Sequence, residues 1–181
     1  MKKIIIASII TANSLFAQGY ITKANDISKD LIKTLGSKLK ENMKKGGPTQ
    51  AVDFCSAKAY DLTKQVSDKY KGIEVKRISL KPRNPLDAPS KDEAIILKSM
   101  QEMYKVGVKP KNIVQEKGNK VIVYKPLIIK KKVCLKCHGD LTKNPKLAKK
   151  ISNIYHSDKA TGYKMGDLRG AIVVTMPKNK K

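Results

Sequence analysis

Cys134-Leu135-Lys136-Cys137-His138 places two thiols two residues apart with an imidazole directly after the second. That C-x-x-C-H spacing lets both sulfurs reach the two vinyl groups on one edge of a porphyrin, leaving the next side chain beneath the ring. Cys134 and Cys137 are therefore expected to carry a covalent haem c as thioethers, with His138 as the proximal iron ligand. The other imidazole nitrogen should donate to a carbonyl that orients the ring. One motif predicts one haem. Two rival chemistries use similar residues. A thioredoxin-like thiol pair sits in a βαβ frame, which this chain's pattern lacks. A zinc site needs a second ligand pair, and Cys55 with His156 matches no zinc spacing.

The third cysteine, Cys55, is left over once the other two are tethered. A spare thiol is a liability in an oxidising compartment, so it calls for a role. It is one candidate for the sixth iron ligand, beside His156, Met43, Met100, Met103, Met165 and Met176. Methionine is the usual partner in small electron-transfer cytochromes, and Met165 lies in a Gly-rich loop suited to presenting it. Cys55 falls on the apolar stripe of a helix. It reads equally well as a ligand and as a small buried hydrophobe. At this level both readings stay open.

The surrounding chain says where such chemistry would operate. Met1-Lys2-Lys3 precedes a short apolar run, Ile4 to Ile10, and small or polar residues up to Ala17. A basic start, a short apolar stretch and a small residue describe a signal peptide over 1–17, with cleavage expected near Ala17. The run is too short to cross ~30 Å of hydrocarbon. No cysteine follows Ala17, which argues against a lipid anchor. The expected location is therefore the periplasm. The formal net charge is +24, or +22 once Lys2 and Lys3 leave with the leader. Nucleic acid is excluded as the reason. Only Arg77, Arg83 and Arg169 are arginines, and base and phosphate recognition favours the bidentate guanidinium. The lysines read first as a solvated surface and second as a face for an anionic membrane or an acidic redox partner.

The elements that must position the motif follow from periodicity. Ile27, Leu31, Leu35 and Leu39 predict a helix from Tyr20 to about Lys45, ended by Gly46-Gly47-Pro48. Val52, Cys55, Ala59, Leu62 and Val66 predict a second helix to about Lys71 with Cys55 on its buried face. A strand at 73–80, an irregular proline-rich loop at 81–89 and a helix from Ser90, with Glu93 completing a capping box, come next. A hairpin turning near Gly118-Asn119 leads straight into the C-x-x-C-H motif. Beyond lie a helical piece at 147–155, a Gly-rich loop at 161–167, a strand at 168–176 and a basic tail, 178–181, expected to be disordered. The fold class is α+β: one domain over 18–177, a helical hairpin on an antiparallel sheet.

Four segments occur in order: Arg77-Ile78-Ser79-Leu80-Lys81-Pro82-Arg83-Asn84-Pro85, Tyr124-Lys125-Pro126-Leu127, Cys134-Leu135-Lys136-Cys137-His138-Gly139, and Thr161 to Ala171. Together they resemble the family of exported haem-binding domains with a PAS-like fold, over roughly residues 20 to 177. The resemblance implies a helical hairpin packed on a PAS-like sheet, with Cys55 as the distal ligand opposite His138. The chain departs from that pattern at Asp87, where Asn is expected. Arg83 and Arg169 lie in the matching motifs and are candidates for pairing with haem propionates, or for holding the loop. Pro126 and Tyr163 are candidates for the haem wall, or for ordinary core.

The resulting expectation is a monohaem c-type cytochrome that senses redox state or a small gas such as carbon monoxide or nitric oxide, or passes single electrons. It would work with a redox partner or a separate signalling protein. A thiolate from Cys55 would lower the reduction potential. The alternative is a haem enzyme, a peroxidase or nitrite-reducing subunit. It would need an open iron position and acid–base groups, for which His156 and Arg169 are the weak candidates.

Overall fold

The structure is a computed structural model, and it describes the backbone of residues 7–179 and side chains from residue 17 onward. Helix α1 (Ala7–Asp68) is broken at Gly46 and Gly47, where the backbone leaves helical geometry. Lys69 and Tyr70 bond to Asp30 of the first arm. One unbroken helix would separate residues 30 and 69 by roughly 58 Å at 1.5 Å per residue. The chain has therefore folded back on itself, as the helical hairpin requires. Gly47 allows this: its φ of +65° combined with a ψ of −157° is open to glycine and costly for any residue with a Cβ.

The hairpin arms carry their apolar stripes onto a four-stranded antiparallel sheet of order β1-β4-β3-β2. The strands are β1 (Glu74–Ile78), β2 (Ile113–Lys117), β3 (Lys120–Ile128) and β4 (Leu168–Pro177). Ile27, Leu31 and Val66 of α1 pack on Val75, Val123, Ile172 and Val174. Alternate strand residues point to the other face, where Leu97 and Met100 of α2 (Lys91–Lys105) meet Ile78, Tyr124, Ala171 and Val173. Strand β4 is thus buried on both faces, which explains its unbroken apolar run from Ala171 to Val174. Each fully buried Leu, Ile or Met contributes about 1.5–3 kcal/mol. Gly170 is required on β4 because a Cβ there would stand 2.2 Å from the Ile78 carbonyl oxygen.

The α+β class, the hairpin and the antiparallel sheet are as expected. So is the capping box of α2: Ser90 Oγ accepts from the Glu93 N–H, and the Glu93 carboxylate accepts from the Ser90 N–H at 2.9 Å. Two expectations need correction. The proline-rich loop contains regular structure, one 3-10 turn at Pro85–Asp87 capped by Asn84, because proline suits the first turn of a helix. The basic tail is tied at its start: the Lys178 N–H donates to the Asn119 carbonyl at 2.7 Å and the Asn179 N–H to the Tyr20 hydroxyl at 2.8 Å. Lys180 and Lys181 lie outside the described residues, as do the side chains of most of the expected leader. No helix among the described residues is long and apolar enough to cross a membrane.

Candidate functional site

The C-x-x-C-H residues occupy a short helix, α3 (Lys132–His138), separated from the end of β3 by three residues. Two backbone bonds at Ile129, one to Asp167 and one from Gly166, pin that connection to the Gly-rich loop. A second clamp holds the other end of α3. The Gly162 N–H donates to the Gly139 carbonyl at 3.0 Å, and the Tyr163 N–H donates to the His138 carbonyl at 2.9 Å. The cysteines therefore ride on a helix fastened at both ends to the loop before β4.

His138 is positioned by its own ring. Its Nδ1 lies 2.8 Å from the Ala160 carbonyl oxygen, which can only accept, so Nδ1 carries the proton. Nε2 is left with its lone pair. Burial, with Arg169 and Arg83 adding to it, pushes the imidazole down to about 3, so it is neutral near pH 7. This is the donor arrangement that a metal-ligating histidine uses, with the Ala160 carbonyl as the orienting acceptor. Tyr163 stands edge-on to the imidazole at 6.4 Å between ring centroids, behind it.

His138, Cys134 and Cys137 line one cavity of about 330 Å³ between the hairpin and the sheet end. Cys55 lines the same cavity from the second arm of α1, half-buried rather than fully so. Burial pushes its thiol up, with Cys137 adding and Arg77 and Arg83 opposing. Met43 also lines the cavity. Met165 does not, being 46% exposed, and Met100 and Met176 are packed into the two cores. His156 is exposed on a separate groove. Of the methionines and histidines weighed for a sixth ligand, Met43 is the one that faces the same space as Cys55.

All three arginines of the chain line this cavity. Arg83 is engaged within the fold. It meets Asp158 at 3.1 Å with both side chains about nine-tenths buried, and donates to the Cys137 carbonyl at 2.7 Å and the Ala160 carbonyl at 3.3 Å. It therefore braces both α3 and the carbonyl that orients His138. Arg169 donates to Ser79 Oγ at 2.6 Å and to the Lys81 carbonyl, with its guanidinium 5.3 Å from the Tyr163 ring centroid. Arg77 meets Asp87 at 3.4 Å, and its buried Nε has no hydrogen-bond partner among the described residues. Asp87, the departure noted in the sequence, is thus a counter-charge, its carboxyl held up by burial against the pull of Arg77 and Arg169. An unpartnered buried donor beside a surplus of guanidinium charge fits an anionic group in the cavity. Two thiols, an imidazole with a free Nε2 and that positive rim are a donor set that a carboxylate-bearing porphyrin matches.

Residues 6–177 match the family described as Tll0287-like. The chain belongs to that family. Among solved structures its fold is similar to "Crystal structure of the cyanobacterial heme-protein Tll0287", with a TM-score of 0.66 and 23% identity. That similarity covers 90% of this chain and 98% of the other. No curated protein matches the chain.

In this Tll0287-like chain two candidate wall residues do not line that cavity. Pro126 pairs with Ala171 on β3, beyond the last β2 pairing at Tyr124, and does not line the cavity; Leu127, Ile128 and Ile129 do. A proline fits there because no strand on that side needs its missing N–H. Tyr163 supports His138 from behind instead of walling the cavity. Arg77 is a further guanidinium at the site, and it is one of only three arginines in the chain. That scarcity was the available signal, since the three guanidiniums gather at one place.

The Asp158–Arg83 pair carries a measurable consequence. Asp158→Ala leaves a buried guanidinium without its carboxylate and is expected to cost about 3–5 kcal/mol. Urea unfolding of the variant against the parent chain measures it, and a change below 1 kcal/mol, on the order of a surface pair, sinks this account of Arg83.

Proposed function

We propose that this chain is an exported monohaem c-type cytochrome of the periplasm, with a PAS-like fold, acting in redox or gas sensing or in single-electron transfer. The observation that carries the reading is the convergence of Cys134, Cys137, His138 and Cys55 on one cavity with the chain's three arginines. Cys134 and Cys137 would hold the haem as thioethers, His138 through Nε2 and Cys55 through its sulfur from the opposite arm. A haem so held supplies one-electron chemistry and, where a ligand yields, a site for a small gas. The protein's share is positional. The Ala160 carbonyl keeps the His138 Nδ1–H in place, Arg83 braces that carbonyl, and Arg77 and Arg169 offer charge to carboxylates. Membership of a family that includes a named haem protein supports the cofactor.

The enzyme reading has less behind it. Arg169 is committed to Ser79 and Lys81, and His156 lines a different groove, so neither stands ready as an acid or base beside the cavity. The test is the mature protein, expressed in a host that matures c-type cytochromes. Its mass is expected to exceed that of the processed chain by one haem, with a low-spin visible spectrum. A colourless protein at the bare polypeptide mass overturns the proposal, and a high-spin ferric spectrum favours the enzyme.

A further inference from the structure

A second concavity, an open groove of about 630 Å³, lies on the outer side of the backbone that holds His138. Gly139 and Gly162, joined by a hydrogen bond, form part of it, and Leu141, Pro145, Ala148 and Tyr155 give it apolar walls. Ala160, whose carbonyl accepts from the His138 Nδ1–H, sits between the groove residues Asp158 and Thr161. One layer of backbone thus separates the groove from the imidazole.

The groove lies in a one-sidedly charged stretch of the chain. Residues 129–164 carry ten lysines and two aspartates. One of those aspartates, Asp158, is closed on Arg83. Among the described residues just one of the ten lysines, Lys150, reaches a carboxylate, that of Asp53. Residues 18–128 are different: 21 lysines face 12 carboxylates, and seven of those lysines are ion-paired. Lys143, Lys146, Lys149 and Lys159 are exposed and alternate along the chain with the groove's lining residues. Val133 and Ile154, each at least 36% exposed, belong to the same stretch, and Met165, 46% exposed, directly follows it. An apolar centre inside an uncompensated cationic rim is the anatomy of a protein interface.

We infer that this groove is the docking face for an acidic protein that exchanges electrons with the chain. The electron-exchange half rests on the function proposed above; the docking half does not. Two features favour a protein over other polyanions. The stretch holds no arginine, the residue that phosphate recognition prefers. Its apolar surface is recessed, which suits protruding side chains of a partner better than the flat face of a bilayer.

The experiment uses the mature chain and a purified, fluorescently labelled acidic flavodoxin as probe, with affinity read by anisotropy at low and high salt. Three lysines on the face are reversed together, Lys143→Glu, Lys146→Glu and Lys149→Glu. A control reverses three exposed lysines on and after α2, Lys98→Glu, Lys109→Glu and Lys111→Glu, for the same change of charge. The face variant is expected to bind at least about tenfold more weakly and to lose most of its salt dependence, while the control changes less than about twofold. Ala148→Trp, which fills the groove without changing charge, is expected to weaken binding at least about threefold. Matching thermal unfolding of all variants guards against misfolding.

Equal losses in the face and control variants overturn the inference, because total charge then explains the binding. So does retention of flavodoxin binding by a face variant that has lost binding to phosphatidylglycerol vesicles, which would make this a lipid face. If the chain carries no haem yet binding follows the groove, the docking half stands and the cytochrome reading falls. If haem is present and binding ignores the groove, the reverse holds.

Discussion

Exchanging Cys134 and Cys137 together for serine is expected to yield a folded chain with no covalent haem. Both sulfurs sit on a seven-residue helix, α3, that owes its position to backbone bonds rather than to the thiols. Ile129 bonds with Asp167 and Gly166 at one end, and the His138 and Gly139 carbonyls accept from Tyr163 and Gly162 at the other. Serine is close in size and breaks none of these bonds, so the scaffold should persist while the tether is lost. Cys137 packs against the small cluster of Val52, Leu147 and Ile151, so its loss should cost on the order of 1 kcal/mol. Intact-mass spectrometry and the visible spectrum read the tether, and far-ultraviolet circular dichroism reads the fold. A haem mass that survives denaturation in the double variant would show that some other residue makes the attachment.

Replacing Cys55 by alanine is expected to have the second-largest effect. Cys55 is half-buried on the second arm of α1 and lines the cavity that His138 lines. A thiolate ligand favours the oxidised metal, so removing it should raise the midpoint potential. The shift should be on the order of 0.1 V, within the roughly 0.8 V that axial ligands span. The ferric spectrum should change with it, toward high spin or toward methionine ligation by Met43, the methionine lining the same cavity. Spectroelectrochemistry of the parent and variant measures both. An unchanged spectrum and potential would mean that the sulfur is only a small buried hydrophobe. The double variant Cys55→Ala/Met43→Leu separates a methionine replacement from a vacant position.

Several features of the site are legible in the chain without coordinates, and for a common reason. C-x-x-C-H is a local spacing, and the capping box at Ser90 and Glu93 is a local exchange of hydrogen bonds. The break at Gly46-Gly47-Pro48 is likewise a property of three consecutive residues. Periodicity of 3.6 and of 2 placed the second arm of α1, the hairpin of β2 and β3, and β4 within a few residues of their observed ends, whereas the first arm, expected from Tyr20, is already helical at Ala7. The positions of Pro126 and Tyr163 were not legible. Whether a residue walls a cavity or packs away from it depends on where the neighbouring strands begin and end, and here β2 begins at Ile113, the partner of Tyr124.

The chain by itself determined the chemistry on offer: two thiols two residues apart, one adjacent imidazole, one further cysteine, a helical hairpin and an antiparallel sheet. Those are consequences of side-chain type and short-range spacing. Only the tertiary structure decided which distant groups serve that chemistry. It chose Ala160, 22 residues from His138, as the carbonyl that orients the ring. It set Asp158 against Arg83 across 75 residues and gathered Arg77, Arg83 and Arg169 around one space. Such pairings come from the way the hairpin and the loop before β4 fold over the sheet end. Long-range contact carries no periodic signal along a single chain, so the packing had to be seen to be known.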